Sequence, residues 1–274
     1  MTRSMLRSLA AAVSAALVVG CGSDSPSGPS TSQHTVDLAA VMAQMSIGRP
    51  TSIPGASVVM SVPASTGIPK FVPSACAYSS AAQGFTCPTV TSGGLTFDIS
   101  YFLYDAAGKS QSAVDANITA AVRTVVDTKG TATISPSTGT SGTALITDHS
   151  DLTMSGLLTS THVLNGSGTS HYDLALSGTT PIHAVIDMTT ATKDVTIPTP
   201  TDADTPAWPT SGTITTDAKT VATIGGLGSI TTTWHTVITF NGTSTATIVL
   251  TSSGGATTCT LDLTGKNPPV CSGS

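Results

Sequence analysis

The stretch Leu95-Thr-Phe-Asp-Ile-Ser-Tyr-Phe-Leu103 indicates the fold class of this chain most clearly. Apolar residues occupy every second position from Leu95 to Leu103. Successive side chains of a β-strand point to opposite faces, so this alternation predicts a strand with one buried face and one exposed face. The segment Asp105-Ala-Ala-Gly108 follows as the predicted turn.

Hairpin signals continue from this strand towards the C-terminus. The runs Leu152 to Leu164 and Ile230 to Phe240 end at Asn165-Gly166 and Asn241-Gly242. Asn-Gly is the strongest short-range hairpin signal, because both residues accept the positive φ of a type I′ turn. We predict a loop over 135–142 and further strands over 143–147, 169–177, 182–190, 212–216, 219–224, 243–251 and 257–264.

The earlier part of the chain has weaker patterns. Apolar residues recur at helical spacing between Leu38 and Met45, which predicts one short helix beginning near Thr35. Ala56 to Val62 is a predicted strand, and the ambiguous segment 112–127 is interpreted as a strand from about Ile118. The predicted fold is therefore all-β: an antiparallel meander of hairpins, arranged as a sandwich, half-barrel or barrel, with one short N-terminal helix.

Composition supports this fold class and excludes several functions. The chain has 50 threonines, which favour pleated and half-exposed surface, and all 15 acidic residues are aspartate. The lack of glutamate excludes the Glu base of a His-Glu-x-x-His metalloprotease and the Glu pair of many glycosidases. The net charge of −5 argues against a nucleic-acid partner.

The N-terminus has the features of a secretory leader. Arg3 and Arg7 precede an apolar run that ends at Val18-Val19-Gly20-Cys21. This pattern resembles the lipobox of bacterial lipoprotein precursors. The resemblance implies removal of residues 1–20, lipid attachment to Cys21 and a membrane partner through that anchor. Gly22 stands where an aspartate would resemble an inner-membrane retention signal, so we expect an outer-membrane location.

The leader divides the chain into three parts. Residues 1–20 form the predicted signal peptide, and residues 21–34 form a lipidated cysteine with a flexible tether rich in Ser, Gly and Pro. Residues 35–274 form a single Thr-rich β domain. An ordinary secretory signal is the alternative interpretation of the leader, while a run of eleven apolar residues is too short to cross a hydrocarbon core.

Four further cysteines suggest disulfide bonds in an oxidising compartment. Cys76, Cys87, Cys259 and Cys271 allow three connectivities. We favour the local pairs Cys76 with Cys87 and Cys259 with Cys271, since each encloses about a dozen residues that can turn back. Neither pair has the two-to-four-residue spacing of a structural zinc site, so no metal is predicted.

Histidine and aspartate are the candidates for chemistry. Strand parity places His171 and Asp173 on the face opposite Tyr172, Leu174 and Leu176, and it places His235 opposite Trp234 and Ile238. If these residues converge, they could bind a metal or act as a base, whereas solvated histidines on a Thr-rich face need no function. His162 shares a side with Leu158 and Leu164 and is expected to be hydrogen-bonded and partly buried.

Two other segments contain suggestive residue types. Asp148-His-Ser-Asp151 has those of a catalytic triad, but we interpret it as a turn between strands. Asp202-Ala-Asp204 offers oxygen ligands suited to calcium, but two carboxylates do not form a site by themselves. No catalytic residue and no cofactor are predicted.

These observations lead to one expectation and one alternative. We expect a lipid-anchored, non-enzymatic envelope protein with a structural or display role. The alternative is a carrier that holds a hydrophobic ligand in a curved sheet, which requires an apolar cavity of several hundred cubic ångströms. An enzyme would instead place a His and an Asp within hydrogen-bond reach in a cleft.

Overall fold

The described part of the chain forms one antiparallel β-sheet of 14 strands. The computed structural model describes residues 75–137, 140–178, 181–199, 207–225, 228–264, 267 and 269–272. The strands are β1 (Ala77–Ser79), β2 (Gly84–Thr86), β3 (Val90–Ser92), β4 (Leu95–Tyr104), β5 (Ser110–Gln111), β6 (Ala121–Ser137), β7 (Thr140–Ser155), β8 (Thr161–Ser177), β9 (Ile182–Pro198), β10 (Ser211–Ile224), β11 (Gly228–Thr239), β12 (Thr245–Ser252), β13 (Gly255–Asp262) and β14 (Val270–Ser272).

The order of the strands confirms the predicted all-β meander. Hydrogen-bonded neighbours run β1-β2-β4-β6 and then consecutively from β6 to β14, while β3 and β5 also pair with β4. The described strands therefore form one continuous hydrogen-bonded sheet. In these residues β1 and β14 end the pairing path without pairing to each other.

Buried apolar residues alternate with more exposed residues along the strands, which gives the sheet one apolar face. In β4 the buried residues are Phe97, Ile99, Tyr101 and Leu103, at every second position as the sequence predicts. The same alternation on later strands joins side chains from Phe85 on β2 to Leu261 on β13 in one hydrophobic cluster. We call the side that bears this cluster the core face and the opposite side the outer face.

Threonines complete the core face near its centre. Thr216 and Thr236 are both 1% exposed and lie directly opposite each other on β10 and β11. The Thr216 hydroxyl lies 3.2 Å from that of Thr190 on β9. Thr236 has no hydrogen-bond partner for its buried hydroxyl in the described structure. A β-branched residue fits a pleated surface, so threonine is accommodated here despite its polar atom.

The hairpin prediction at Asn165-Gly166 is wrong. These residues lie inside β8, where the pairing with β9 shifts between Leu164 and Gly166. The Asn165 side-chain oxygen accepts a hydrogen bond from the backbone N–H of Asp194 (2.7 Å), so the asparagine holds a bulge instead of making a turn. The chain turns earlier, where Gly156 adopts a φ of 77°.

The second Asn-Gly pair does lie in a turn. Asn241 and Gly242 connect β11 to β12, but the connection covers residues 240–244 and is longer than a two-residue type I′ turn. Gly242 has a φ of 81°, whereas Asn241 does not have a positive φ. The Asn241 side chain instead accepts a hydrogen bond from the backbone N–H of Thr243 (3.1 Å).

Three other boundaries also differ from the predictions. The segment 148–151 is not a turn, because it lies in the middle of β7 and pairs with both β6 and β8. The predicted loop over 135–142 largely belongs to β6 and β7, and the predicted strands over 212–216 and 219–224 are one strand, β10. In 148–151 the polar residues do not break the strand, because His149 and Asp151 lie on the outer face, and Asp148 accepts a hydrogen bond from Ser170 of β8 on the core face.

Both favoured cysteine pairs lie at disulfide distance. The sulfur atoms are 1.95 Å apart for Cys76 and Cys87 and 1.96 Å apart for Cys259 and Cys271. Cys259 and Cys271 are direct cross-strand partners on β13 and β14. The local pairing is therefore the one that the fold permits.

The remaining N-terminal predictions lie outside the described residues. They are the leader, Cys21, the helix over 35–45 and the strand Ala56 to Val62. The pair Asp202 and Asp204 also lies outside the described residues. In the described ranges, no helix is both long and apolar enough to span a membrane.

Candidate functional site

The outer face of β6–β11 carries most of the charged residues of the described strands. Its side chains form rows across the strands, because paired residues lie side by side in an antiparallel sheet. One row consists of Thr147, His171, Asp187, Lys219 and Thr233 on β7 to β11. The neighbouring row consists of His149, Thr169, Thr189, Asp217 and His235.

Four histidine–aspartate pairs join neighbouring strands on this face. They are His149 with Asp127 (2.8 Å), His171 with Asp187 (2.7 Å), His183 with Asp173 (2.7 Å) and His235 with Asp217 (2.7 Å). We call these eight residues the histidine–aspartate belt. Three pairs are directly opposite in register, while His183 contacts Asp173 diagonally.

The belt fixes the orientation of its imidazole rings. A carboxylate can only accept hydrogen bonds, so the ring nitrogen that faces it carries the proton. In His149, His171 and His235 this nitrogen is Nδ1, whereas in His183 it is Nε2. A neutral imidazole then presents its other nitrogen as an acceptor on the outer face. This arrangement suits hydrogen bonding to a hydroxyl, proton abstraction or metal ligation.

The belt is open to solvent. Its side chains are between 38% and 64% exposed, so its ion pairs are screened and contribute little to stability. The belt therefore differs from a buried catalytic constellation, in which a desolvated carboxylate orients the base.

Arg123 and Asp151 form a tighter pair beside the belt. The guanidinium donates two hydrogen bonds, at 2.7 and 2.6 Å, to the two carboxylate oxygens, and it lies 5.1 Å from the centre of the Phe102 ring. The Arg123 hydrogen bonds hold the pKa of Asp151 below its usual value, while the Asp151 hydrogen bond raises the pKa of Arg123. This bidentate geometry fastens β6 to β7.

A groove of about 510 Å³ lies between the two rows. Its outer-face lining includes His171, Asp187, Asp217 and Lys219, with threonines at both ends and along its middle. Ser170, Met188, Ala218 and Trp234 also border it. Their side chains point to the core face, so we expect their backbone atoms to form the floor.

Several groups in the groove have neither a hydrogen bond nor an ion pair to the described part of the chain. Lys219 lies opposite Asp187, but the Asp187 carboxylate bonds to His171, and within the described residues Lys219 makes neither an ion pair nor a hydrogen bond. The side-chain hydroxyls of Thr147, Thr169, Thr189 and Thr233 likewise have no hydrogen bond to any part of the described chain. Within the described residues the groove therefore presents two carboxylates, one ammonium group without a direct ion pair, and four hydroxyls without a hydrogen bond.

Asp148 lies behind the belt on the core face. Burial raises the pKa of this carboxyl group more than the Ser170 hydrogen bond and the neighbouring His149 lower it. Tyr172 is two residues from Ser170 on the same face, and burial together with the Asp148 charge raises the pKa of its phenol to about 12. Burial on the apolar face thus disfavours the charged form of the Asp148 carboxyl group.

His162 is buried, as predicted, but only one of its two ring nitrogens has a hydrogen-bond partner among the described residues. Its side chain is 9% exposed, and Nε2 lies 3.4 Å from the Thr199 hydroxyl, while Nδ1 has no hydrogen-bond partner among the described residues. Burial lowers the pKa of this imidazole. Leu164 shares its buried side, whereas Leu158 lies in the preceding turn and is 43% exposed.

Strand parity places the predicted histidines correctly, but these residues do not converge. His171, Asp173 and His235 all lie on the outer face, and each bonds to a different partner. In the described part of the chain, no group of three or more His, Cys, Asp or Glu residues could hold a metal ion. The partners Asp127, Asp187 and Asp217, and the groove residue Lys219, were not found from sequence alone.

Comparison with known proteins adds no relative. No protein-family model matches the chain, and no curated protein or solved structure is significantly similar to it.

Proposed function

We propose that this protein is a lipid-anchored protein of the bacterial outer membrane with a non-enzymatic structural or display role. The observation that carries the display role is the contrast between the two faces of one sheet. The core face buries a cluster of apolar side chains that extends from Phe85 to Leu261, while the outer face presents the belt and the groove. The leader that ends at Cys21 supports the anchor.

Packing of the core face favours display over the carrier alternative. Leu103, Leu174, Ile238 and Ile248 have 0% exposure. A side chain without accessible surface borders neither solvent nor a void that holds a water molecule. A carrier instead needs an apolar cavity that its ligand can occupy. In the proposed role, the apolar face stabilises the fold and the outer face makes the contacts.

Repetition of the belt supports a non-enzymatic role. His171 and Asp187 lie in the groove at hydrogen-bond distance, which is the geometry of a base and its orienting carboxylate. However, the same pairing occurs four times on this face, and the Asp187 side chain is 62% exposed. Within the described residues, no hydroxyl or thiol bonds to the free nitrogen of His171. These features fit exposed charge pairing better than an activated nucleophile.

Detergent phase partition tests the anchor. Lipid chains contribute about 0.8 kcal/mol per buried methylene, so the processed protein should enter the detergent phase. Cys21→Ser removes the attachment sulfur and should move the protein to the aqueous phase, while Gly22→Ser keeps the cysteine and should leave it with the detergent. A folded Cys21→Ser protein that stays in the detergent phase would refute the lipid anchor.

A further inference from the structure

We infer that β14 covers the C-terminal edge of the sheet only while the Cys259–Cys271 disulfide is intact. Reduction of this disulfide releases β14, and the uncovered strand β13 then pairs with β13 of a second copy of the chain. This inference goes beyond the proposed display role. It does not depend on the lipid anchor, because every residue involved belongs to the folded sheet.

Strand β13 lacks the features that usually protect an open edge strand. Its residues from Gly255 to Leu261 include no charged residue and no proline, and Asp262 at its end is the one charged residue of the strand. The pairing of β13 with β12 runs through the whole strand without a register shift, so no bulge bends this edge away. Natural sheets protect such an edge with charges, prolines, bulges or a covering segment. In the described structure the covering segment is β14.

Strand β14 is itself suited to be the last strand of the sheet. It has three residues, and Pro268 and Pro269 precede it in the sequence. A very short strand that follows proline offers little backbone with which a further chain could pair. We therefore expect the oxidised protein not to associate through this edge.

The disulfide is the main attachment of β14. The strand pairs with three residues of β13, from Thr258 to Thr260, and Val270 is 70% exposed. The Ser272 hydroxyl donates one hydrogen bond to the Thr258 carbonyl oxygen (3.2 Å). Cys271 is the residue of β14 that packs against the hydrophobic cluster. Because so few contacts offset the conformational entropy of ordering β14, loss of the disulfide should release it.

A small dithiol can open this bond by thiol–disulfide exchange. Cys259 is 2% exposed and Cys271 is more exposed, so the attacking thiolate reaches the Cys271 sulfur. A mixed disulfide forms with Cys271, and the Cys259 sulfur leaves as a thiolate that takes up a proton. The second thiol of the reagent then displaces Cys271 as a thiol. The protein gains two electrons and two protons, and the reagent becomes a cyclic disulfide.

A second copy fits the uncovered edge because β13 is complementary to itself. Antiparallel pairing centred on Cys259 places Thr258 of one copy opposite Thr260 of the other. Residues directly opposite each other in such a pair share a face of the sheet. Thr258 and Thr260 are exposed, while Cys259 and Leu261 are buried, so the outer face and the core face would both continue from one copy to the next.

Sedimentation velocity on the full chain carrying Cys21→Ser tests this inference. We expect the mass of one chain for the oxidised parent and twice that mass for the variant Cys259→Ala/Cys271→Ala. Dithiothreitol should double the mass of the parent, and reoxidation should reverse the change. Cys76→Ala/Cys87→Ala is the matched control, because it removes the disulfide at the opposite edge, where β2, β3 and β5 cover β4. It should keep the mass of one chain.

A pair of lysines on β13 tests where the two copies meet. Thr258→Lys with Thr260→Lys should return the double alanine variant to the mass of one chain, because like charges directly opposite each other repel. Thr169→Lys with Thr223→Lys adds the same charge at exposed positions of the interior strands β8 and β10, and it should leave the doubled mass unchanged.

Two outcomes would overturn the inference. One is a double alanine variant that melts cooperatively and has the mass of one chain. The other is a doubled mass that persists with the two lysines on β13. If the double alanine variant does not fold, the parent treated with dithiothreitol, with and without these lysines, is judged by the same two criteria.

Discussion

The Ser170 hydroxyl donates a hydrogen bond to the Asp148 carboxylate across β7 and β8, on the apolar face of the sheet. The next residue along β7 is His149 of the belt, on the opposite face. Two consecutive residues therefore differ in environment: burial disfavours the charged form of the Asp148 carboxylate, whereas the His149 imidazole is exposed to solvent. This contrast allows the effects of the two faces on stability to be measured separately.

Asp148→Asn should stabilise the protein at neutral pH. Burial raises the pKa of Asp148 in the folded state above its value in the unfolded chain. The contribution of this residue to the free energy of unfolding is therefore present at low pH and is lost as the pH rises through the folded-state pKa. Asparagine keeps an oxygen for Ser170 and removes the buried charge. We expect a gain of about 1 kcal/mol in the free energy of unfolding at pH 7, measured by urea denaturation.

Ser170→Ala is the companion to this substitution. It removes the hydrogen bond that stabilises the carboxylate, so it should destabilise the protein more at pH 7 than at pH 3. If Asp148→Asn instead costs stability at pH 7, the charged carboxylate is better accommodated than its surroundings indicate.

His162→Leu should reduce the loss of stability on mild acidification. Burial lowers the pKa of His162, so the unfolded chain takes up a proton at this residue before the folded chain does. The contribution of His162 to the free energy of unfolding is therefore fully present above its pKa in the unfolded state, about 6.5. It is lost as the pH falls towards the lower pKa of His162 in the folded state. We expect a smaller fall in melting temperature between pH 7 and pH 5 in the variant. His149→Gln, at an exposed position, is the control. An equal fall in melting temperature between pH 7 and pH 5 in His162→Leu and the wild type would show that His162 does not cause the loss of stability.

Gly166→Ala should be far more costly than Gly168→Ala. Gly166 has a φ of 155°, and a Cβ there would collide with the backbone carbonyl oxygen of Asp151 on β7. At Gly168 the nearest atom to an added Cβ is the His149 carbonyl oxygen at 3.0 Å, so a small shift suffices. We expect losses of about 3 and 1 kcal/mol in the free energy of unfolding. Equal losses in thermal denaturation would mean that the β8 bulge is not held as described.

The sequence was sufficient for the fold class because its main signals are local. Alternation from Leu95 to Leu103 and parity around His171 and His235 depend only on side chains pointing to opposite faces of a strand. The same rule did not locate the turn near Asn165-Gly166. A single pair of residues cannot distinguish a hairpin from a bulge when the partner strand, here through Asp194, decides between them.

The histidine–aspartate belt could be predicted only with knowledge of the register between neighbouring strands. Asp217 and His235 lie at equal distances from position 226, and Asp127 and His149 lie at equal distances from position 138, so each pair faces across one hairpin. Hairpin midpoints placed correctly would have revealed these pairs. The diagonal contact of Asp173 with His183 depends on side-chain directions, which no sequence pattern fixes. The same is true of Lys219, which makes no ion pair within the described residues.

In the proposed role, the side chains of this protein occupy the core face and the outer face makes the functional contacts. Native mass spectrometry of the full chain carrying Cys21→Ser, purified gently after export to an oxidising periplasm, distinguishes this role from that of a carrier. We expect the mass of the polypeptide with two disulfide bonds and nothing else. A co-purified lipid that disappears on denaturation would refute the proposed role and would favour a carrier.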